Sequence, residues 1–164
     1  MPQDAADVLV IGSGADYAAA RELALKVEEG ARLPAVAHEL ETIRHGHLAA
    51  ANERSGLVMV LTDAEGRGAA LLDPAASVLR SAGELGMPAA VIAAADVGGA
   101  PERSIATAGW QSVTLEPGLP RIVAAVLGSA VPLQLLTERL ARARGTNPDT
   151  IGREDSRQAA AASA

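Results

Sequence analysis

The sequence predicts an α/β fold: a doubly wound, mostly parallel sheet of four to five strands with helices on both faces. Two observations lead to this class. Short apolar runs alternate along the 164-residue chain with segments in which apolar residues recur at helical spacing. The runs are apolar at successive positions, which is typical of strands buried on both faces. We therefore expect one domain at residues 1–149 and a C-terminal tail at 150–164.

Four strands are expected where apolar runs end at glycine or at polar turns. They lie at residues 8–11, 57–61, 89–94 and 111–115. The first run is followed by Gly12-Ser13-Gly14. After this turn, Asp16 is expected to cap a helix that ends at Gly30.

Two further helices are expected in the middle of the chain. One is predicted after Pro34, because three apolar residues recur there in helical step. These residues are Val36, Leu40 and Ile43. The other helix is expected at residues 75–85.

The longest helix is expected at residues 119–144. Pro132 lies inside it and predicts a kink or a break, while Gly145 is expected to end it. Its apolar faces exceed what one small domain needs to cover, which predicts a homodimer or a tighter assembly with this helix near the interface. Its apolar run at 122–132 is too short to span a bilayer.

Composition and charge exclude several classes of function. A net charge of −6 disfavours nucleic acid and anionic membranes as partners, because both require a basic surface. The chain has no cysteine, which rules out disulfides and thiolate metal sites. Residues 1–7 carry no basic segment of the kind that begins a secretory signal. The sequence thus predicts a soluble, cytoplasmic protein.

The glycine turn after the first strand is the first candidate for ligand contact. Its backbone N–H groups open a helix and could hold an anion. A dinucleotide site needs a third glycine where Tyr17 stands, so no nicotinamide cofactor is expected. Two interpretations stay open: a tight strand–helix turn, or a sugar or phosphate contact made by Gly12, Ser13 and Gly14.

Lys26 and Glu29 lie three residues apart and therefore share one face of a helix. An ordinary surface ion pair would explain them. However, Lys26 is the only lysine in the chain. Unlike arginine, lysine has a pKa that shifts readily with its surroundings, which suits it to chemistry.

The three histidines of the chain, His38, His45 and His47, lie within ten residues of one another. Imidazoles can bind transition metals, but the helical H-E-x-x-H spacing is absent and we expect no metal site. A histidine that donates and accepts a proton near neutral pH is the simpler interpretation.

These segments together resemble the SIS (sugar isomerase) domain. The resemblance is carried by ALKVEE at residues 24–29, by HELETIRHGHL at 38–48, and by VPLQLL and GTNPD at 131–136 and 145–149. The chain is most similar to the second SIS domain in the isomerase half of glucosamine-6-phosphate synthases and related proteins with two SIS domains.

The resemblance implies a flavodoxin-like α/β sandwich that binds a phosphosugar and forms a dimer or pairs with another SIS domain. Glu29 matches the carboxylate that moves a proton between sugar C1 and C2. His45 matches the histidine that opens the sugar ring from a neighbouring subunit, and Lys26 matches the lysine beside the carboxylate. A base, an imidazole and a cation beside the enediolate suit aldose–ketose interconversion. No cofactor is implied.

Three departures from the family pattern leave the function open. Ser156 stands where the family has a tail lysine, although Arg157 beside it is expected to contact substrate. His47 replaces the proline of the family motif. The loop at 62–68 is acidic apart from Arg67, so a second SIS domain is expected to bind the phosphate. The chain is thus either a phosphosugar isomerase or aminotransferase-like domain, or a non-catalytic sensor or dimerisation module.

Overall fold

Five parallel strands form the sheet, in the order β2-β1-β3-β4-β5. The computed structural model describes residues 5–63, 69–98 and 100–164. Its strands are β1 (Asp7–Ile11), β2 (Ala35–His38), β3 (Ser55–Leu61), β4 (Ala89–Ala94) and β5 (Gly109–Val113). Its α-helices are α1 (Ala15–Lys26), α2 (Ala69–Glu84), α3 (Arg121–Arg144) and α4 (Ser156–Ala162). The predicted α/β class is confirmed.

Both faces of the sheet are covered by apolar layers. On the first face, α1 and α3 pack against strand residues such as Val10, Val58 and Ile92. On the second face, α2 packs against residues such as Met59 and Val91. Strands that bury both faces need apolar side chains at successive positions, which is why β3 is buried along its whole length.

The prediction of a helix after Pro34 is wrong. Residues 35–38 instead form β2, which pairs with the open edge of β1. Leu40 and Ile43 are buried, but they reach the second apolar layer from a series of turns. A spacing of three or four residues can bury side chains from turns as well as from a helix, so periodicity alone misassigned this segment.

The expected ends of α1 are also wrong. Gly14 precedes the helix and no side chain caps it. At the other end, α1 passes into one π-helical turn, Val27–Ala31, followed by Arg32 in a left-handed conformation. Gly30 lies inside that turn, where a Cβ atom would stand 2.9 Å from the Cγ2 atom of Thr137. This glycine is needed for close approach to α3, not for a helix cap.

Helix α3 runs without interruption through Pro132, so no break occurs there. Gly145, with a φ of 68°, ends it as predicted. By length and composition α3 could cross a membrane, with 28% of its most apolar window buried. Its inner face packs on α1 and the sheet. The exposed face is apolar, consisting of Ile122, Val123, Val126, Leu127, Val131 and Leu135.

The edge strand β5 begins two residues earlier than predicted and carries the single tryptophan of the chain. Trp110 packs partly against the second apolar layer, and the guanidinium of Arg103 lies 5.7 Å from its ring centroid. Helix α2 also begins earlier than expected and includes Pro74. Arg67, in the acidic loop, lies outside the described residues.

Candidate functional site

Lys26 and Glu29 lie at the amino edge of the sheet, where β2 begins. Helix α1 runs back across the sheet from the end of β1, so its last turn and the π turn return the chain to that edge. The adjoining Glu28 faces the strand itself, because its Oε1 atom accepts from the backbone N–H of Ala35 at 3.4 Å. The π turn presents Glu29 beside the first residues of β2. Such turns inside helices are often found at functional sites.

The expected Lys26–Glu29 contact is present. Nζ of Lys26 donates to Oε2 of Glu29 at 2.8 Å, and Oε1 of Glu22 lies 3.9 Å from the same nitrogen. The hydrogen bond to Glu29 raises the pKa of Lys26, so the ammonium form is favoured. Both side chains remain accessible, with 39% of Lys26 and 33% of Glu29 exposed. The pair can therefore meet a ligand from solvent.

An open cleft of about 520 Å³ lies beside Glu29. This volume is in the range of small-molecule sites. One wall comes from the end of α1 and the start of β2, and the other comes from the C-terminal tail. The lining residues are Leu25, Glu28, Glu29, Arg32, Leu33, Pro34, Ile151 and Gln158. We call it the Glu29 cleft.

Arg32 joins the two walls of the Glu29 cleft. Its Nε donates to the backbone oxygen of Glu29 at 3.0 Å, and its Nη1 donates to Oε1 of Gln158 at 3.0 Å. Nη2 lies 3.5 Å from Oε1 of Glu154. Sequence reasoning did not single out Arg32, because its tail partners lie more than 100 residues away. The tail is thus a docked arm.

Arg157 lies in the same tail, but it does not line the Glu29 cleft. It is exposed at the start of α4, and its backbone N–H donates to the side chain of Asp155 at 2.8 Å. Ser156, its neighbour, is also exposed. The structure brings Arg157 to the Glu29 side of the molecule without a contact to Glu29 itself.

His45 is on the other face of the sheet. It lies in the turns that carry Leu40 and Ile43, where it lines a second cleft of about 550 Å³ with Arg44 and Pro74 of α2. His45 is exposed. Within one chain, therefore, the structure does not bring His45 to the Lys26–Glu29 pair.

The other two histidines stack on each other. The ring centroids of His38 and His47 are 3.9 Å apart, at an interplanar angle of 38°. Burial, and to a smaller extent the charge of His47, lowers the pKa of His38. Across the described residues, no group of three or more histidine, aspartate or glutamate side chains could hold a metal ion.

The Gly12–Gly14 turn forms a tight junction at the carboxyl edge of the sheet. A Cβ atom on Gly12 would stand 2.3 Å from the backbone oxygen of Asp16, so only glycine fits. Oγ of Ser13 accepts from the backbone N–H of Leu40 at 3.2 Å. The cavity beneath the turn holds only about 10 Å³. This geometry matches the tight-turn interpretation, and ligand contact by these residues stays a prediction.

Asp16 does not cap α1 but bridges to the end of β3. Its carboxylate accepts from the backbone N–H groups of Thr62 at 2.9 Å and Asp63 at 3.0 Å, and from the Thr62 hydroxyl. Asp16 is only 5% exposed, and burial raises its pKa. The hydrogen bonds oppose this shift without cancelling it. Asp16 thus fills the crevice at the reversal of strand order, where ligands bind in many folds of this class.

Comparison with known proteins shows one family and a consistent set of structures. The SIS domain family matches residues 3–94. No curated protein matches the chain by sequence. The C-terminal domain of glucosamine-fructose-6-phosphate aminotransferase from Francisella tularensis is similar, with a TM-score of 0.66, 23% identity and coverage of 88% of this chain and 38% of that one.

Two further structures are similar over most of this chain. Tagatose-6-phosphate ketose/aldose isomerase from Escherichia coli has a TM-score of 0.64 and 25% identity, covering 91% of this chain and 39% of that one. Glucosamine-6-phosphate deaminase from Thermotoga maritima has a TM-score of 0.58 and 16% identity, covering 90% and 39%. The chain therefore spans about two fifths of the length of these proteins.

Proposed function

Because this chain belongs to the SIS domain family, we propose that it binds an amino- or keto-hexose 6-phosphate and transfers a proton between C1 and C2 of the sugar. The similar ketose/aldose isomerase from Escherichia coli, at 25% identity, supports this class of reaction. The Lys26–Glu29 pair at 2.8 Å beside the Glu29 cleft is the observation that carries the proposal.

Glu29 is the proposed base. A carboxylate on the edge of a cleft can remove the proton at C2 and return it to C1 on one face of the enediol. The Lys26 ammonium, hydrogen-bonded to that carboxylate, supplies positive charge where the enediolate develops. The raised pKa of Lys26 keeps this charge in place through the neutral range.

His45 is proposed to open the sugar ring in a site that belongs to a second SIS domain. Its position on the opposite face from Glu29 supports a shared site, since one chain cannot offer both groups to one ligand. The second domain would also complete phosphate binding. We further propose that substrate is contacted by Arg157, on the Glu29 side of the molecule, and by the Gly12–Gly14 turn, at the carboxyl edge of the sheet.

The exposed apolar face of α3 is the proposed surface for a homodimer or for pairing with another SIS domain. Large contiguous apolar patches on a soluble domain mark interaction sites. The buried inner face of the same helix supports the interpretation that α3 belongs to a folded domain. We propose in addition that the protein is cytoplasmic.

Replacing Glu29 with Gln tests the catalytic role. In deuterium oxide, the full chain is expected to exchange a C1 hydrogen of fructose 6-phosphate, and Glu29→Gln is expected to lower that rate at least about 100-fold. Glu22→Gln is the matched control, because it removes an equal charge near Lys26 outside the Glu29 cleft. Equal exchange by wild type and Glu29→Gln would show that Glu29 is not the base.

A second candidate function is a non-catalytic sugar-phosphate sensor or dimerisation module. The exposed Ser156, at the position of the family's tail lysine, favours it. Saturable binding of fructose 6-phosphate by wild type without any hydrogen exchange at C1 would favour this function over the first.

A further inference from the structure

We propose that Arg32 is an anion-binding residue of the Glu29 cleft, and that it takes the phosphate of the ligand in exchange for the tail residue Glu154. This inference rests on the proposed function. It gives the chain a phosphate contact of its own, in addition to those of a second SIS domain.

One nitrogen of the Arg32 guanidinium, Nη2, has no hydrogen-bond acceptor among the described residues. Nε and Nη1 are held by Glu29 and Gln158 at 3.0 Å each. Nη2 is buried, yet it makes no hydrogen bond in the described part of the chain. A guanidinium binds phosphate through parallel N–H groups, so Nη2 and the second N–H of Nη1 form a fork at the wall of the cleft.

The Glu154 carboxylate lies where an anion would bind Arg32, but its contact with Arg32 is weak. Its Oε1 atom stands 3.5 Å from Nη2, and 56% of its side chain is exposed. The hydrogen bond from Thr150, and less strongly the Arg32 charge, lowers the pKa of Glu154, so this carboxylate is ionised at neutral pH. Exposed ion pairs contribute little to stability. A phosphate dianion can therefore displace Glu154 at small cost.

The backbone around this fork is strained. Among the described residues, Arg32 and Ile151 are the two non-glycine residues with positive φ, at 52° and 46°. A β-branched residue is rarely found in this region, and such residues cluster at ligand sites. Both line the Glu29 cleft. Gly152, with a φ of 78°, allows the tail to pass close to Arg32. A Cβ atom on Gly152 would stand 2.2 Å from Nη1 of Arg32.

Titration calorimetry with inorganic phosphate and with fructose 6-phosphate tests the exchange. Arg32→Gln is expected to weaken the binding of both at least about tenfold, because a charge-assisted fork is lost. Glu154→Gln is expected to tighten both about threefold or more, because a competing carboxylate is removed. Arg80→Gln is the control, since it makes the same charge change on α2, on the other face of the sheet.

Two results would overturn the proposal: phosphate affinity unchanged in Arg32→Gln, or weakened in Glu154→Gln. The second variant guards against misfolding, because a damaged tail cannot tighten binding. The proposed function fails separately, through hydrogen exchange that persists in Glu29→Gln. Loss of exchange in Glu29→Gln with unchanged phosphate affinity in Arg32→Gln would leave Glu29 as the base and remove Arg32 as the anion site.

Discussion

Asp16 is a buried carboxylate whose hydrogen-bond donors lie 46 and 47 residues further along the chain. Its position just after a glycine turn is typical of a helix cap, which is why the sequence predicted one. The structure directs its oxygens to Thr62 and Asp63 instead, and so ties the end of β3 to α1. Local sequence could not show these partners, because they are brought together only by the parallel pairing of β1 and β3.

Asp16→Ala is expected to lower the free energy of unfolding by about 1–3 kcal/mol, because the buried N–H group of Thr62 and the half-buried one of Asp63 lose their acceptor. Asp16→Asn is the control: its amide oxygen can still accept from the backbone, and its NH₂ group can donate to the Thr62 hydroxyl. Denaturant unfolding at neutral pH measures both. An Ala variant as stable as the Asn variant would contradict the role of these bonds.

The raised pKa of Asp16 also predicts how stability depends on pH. The folded state holds this proton more tightly than the unfolded chain, whose ordinary value is 3.8. As pH rises from 3.8 through the raised pKa, wild type is expected to lose stability relative to Asp16→Asn. Unfolding curves of the two proteins between acidic and neutral pH check this sign. A constant difference would show that burial does not raise this pKa.

Lys26, Glu29 and Arg32 show which parts of a site the sequence can reveal. The Lys26–Glu29 pair was predictable because a separation of three places both residues on one helix face. The side-chain contacts of Arg32 depend on a tail residue 126 positions away, and on a π turn that shifts the end of the helix. Neither effect has a local pattern, so the resemblance to SIS domains supplied Glu29 and not Arg32.

At the scale of elements, α2 and α3 each carry a glycine in a different setting. A Cβ atom on Gly128 of α3 would stand 2.7 Å from the Leu115 side chain and 2.9 Å from that of Val113, whereas Gly83 of α2 has nothing within 4 Å. Gly128 thus allows α3 to pack closely on the end of β5. Gly83 has no such constraint.

The same substitution is therefore expected to have opposite effects in the two helices. Gly83→Ala should stabilise by about 0.5–1 kcal/mol through helix propensity. Gly128→Ala should destabilise by about 1–2 kcal/mol, because overpacking against stiff Val113 exceeds that gain. Denaturant midpoints measure both effects. Stabilisation by both variants would mean that α3 has room to move away from β5.

The elements that could be predicted are the ones in which local pattern and global packing agree. The continuous apolar runs of β1, β3 and β4 predict buried strands, and the packing of the sheet buries them on both faces. The helix predicted around Leu40 is absent because the apolar periodicity there reflects side chains that are buried from turns. Residues 35–38 instead pair with the free edge of β1. Pro132 did not break α3, because the helix is held along its length by packing on α1 and the sheet.

At the scale of the whole molecule, the exposed apolar face of α3 is the surface proposed for assembly. Leu127→Glu is expected to convert a dimer to a monomer, because the new charge would be buried without a partner at the interface. Analytical ultracentrifugation measures this change, and Leu85→Glu, beyond the end of α2, is the control. The stability of the folded chain should change by only about 0.5 kcal/mol. A monomeric wild type, or a dimeric Leu127→Glu variant, would contradict this interface.

A site shared between two chains has a distinctive consequence for mixtures. Glu29→Gln and His45→Asn are each expected to be inactive alone. Mixed and allowed to exchange subunits, they should regain about a quarter of wild-type hydrogen exchange, because half of the dimers carry one intact site of two. A mixture of Glu29→Gln with the double variant Glu29→Gln/His45→Asn serves as the inactive control, because no chain in it carries Glu29. If the first mixture also stays inactive, the two residues do not share a site across chains.

Trp110 on β5 has a practical consequence for all of these experiments. It is the single tryptophan of the chain, and it is packed against the apolar layer opposite to the Glu29 cleft. Its fluorescence is therefore expected to report the folding and unfolding of that apolar layer. Because the Glu29 cleft is on the other side of the sheet, inorganic phosphate bound at Arg32 should leave the emission unchanged. Folding can thus be monitored optically in the same sample in which phosphate binding is titrated.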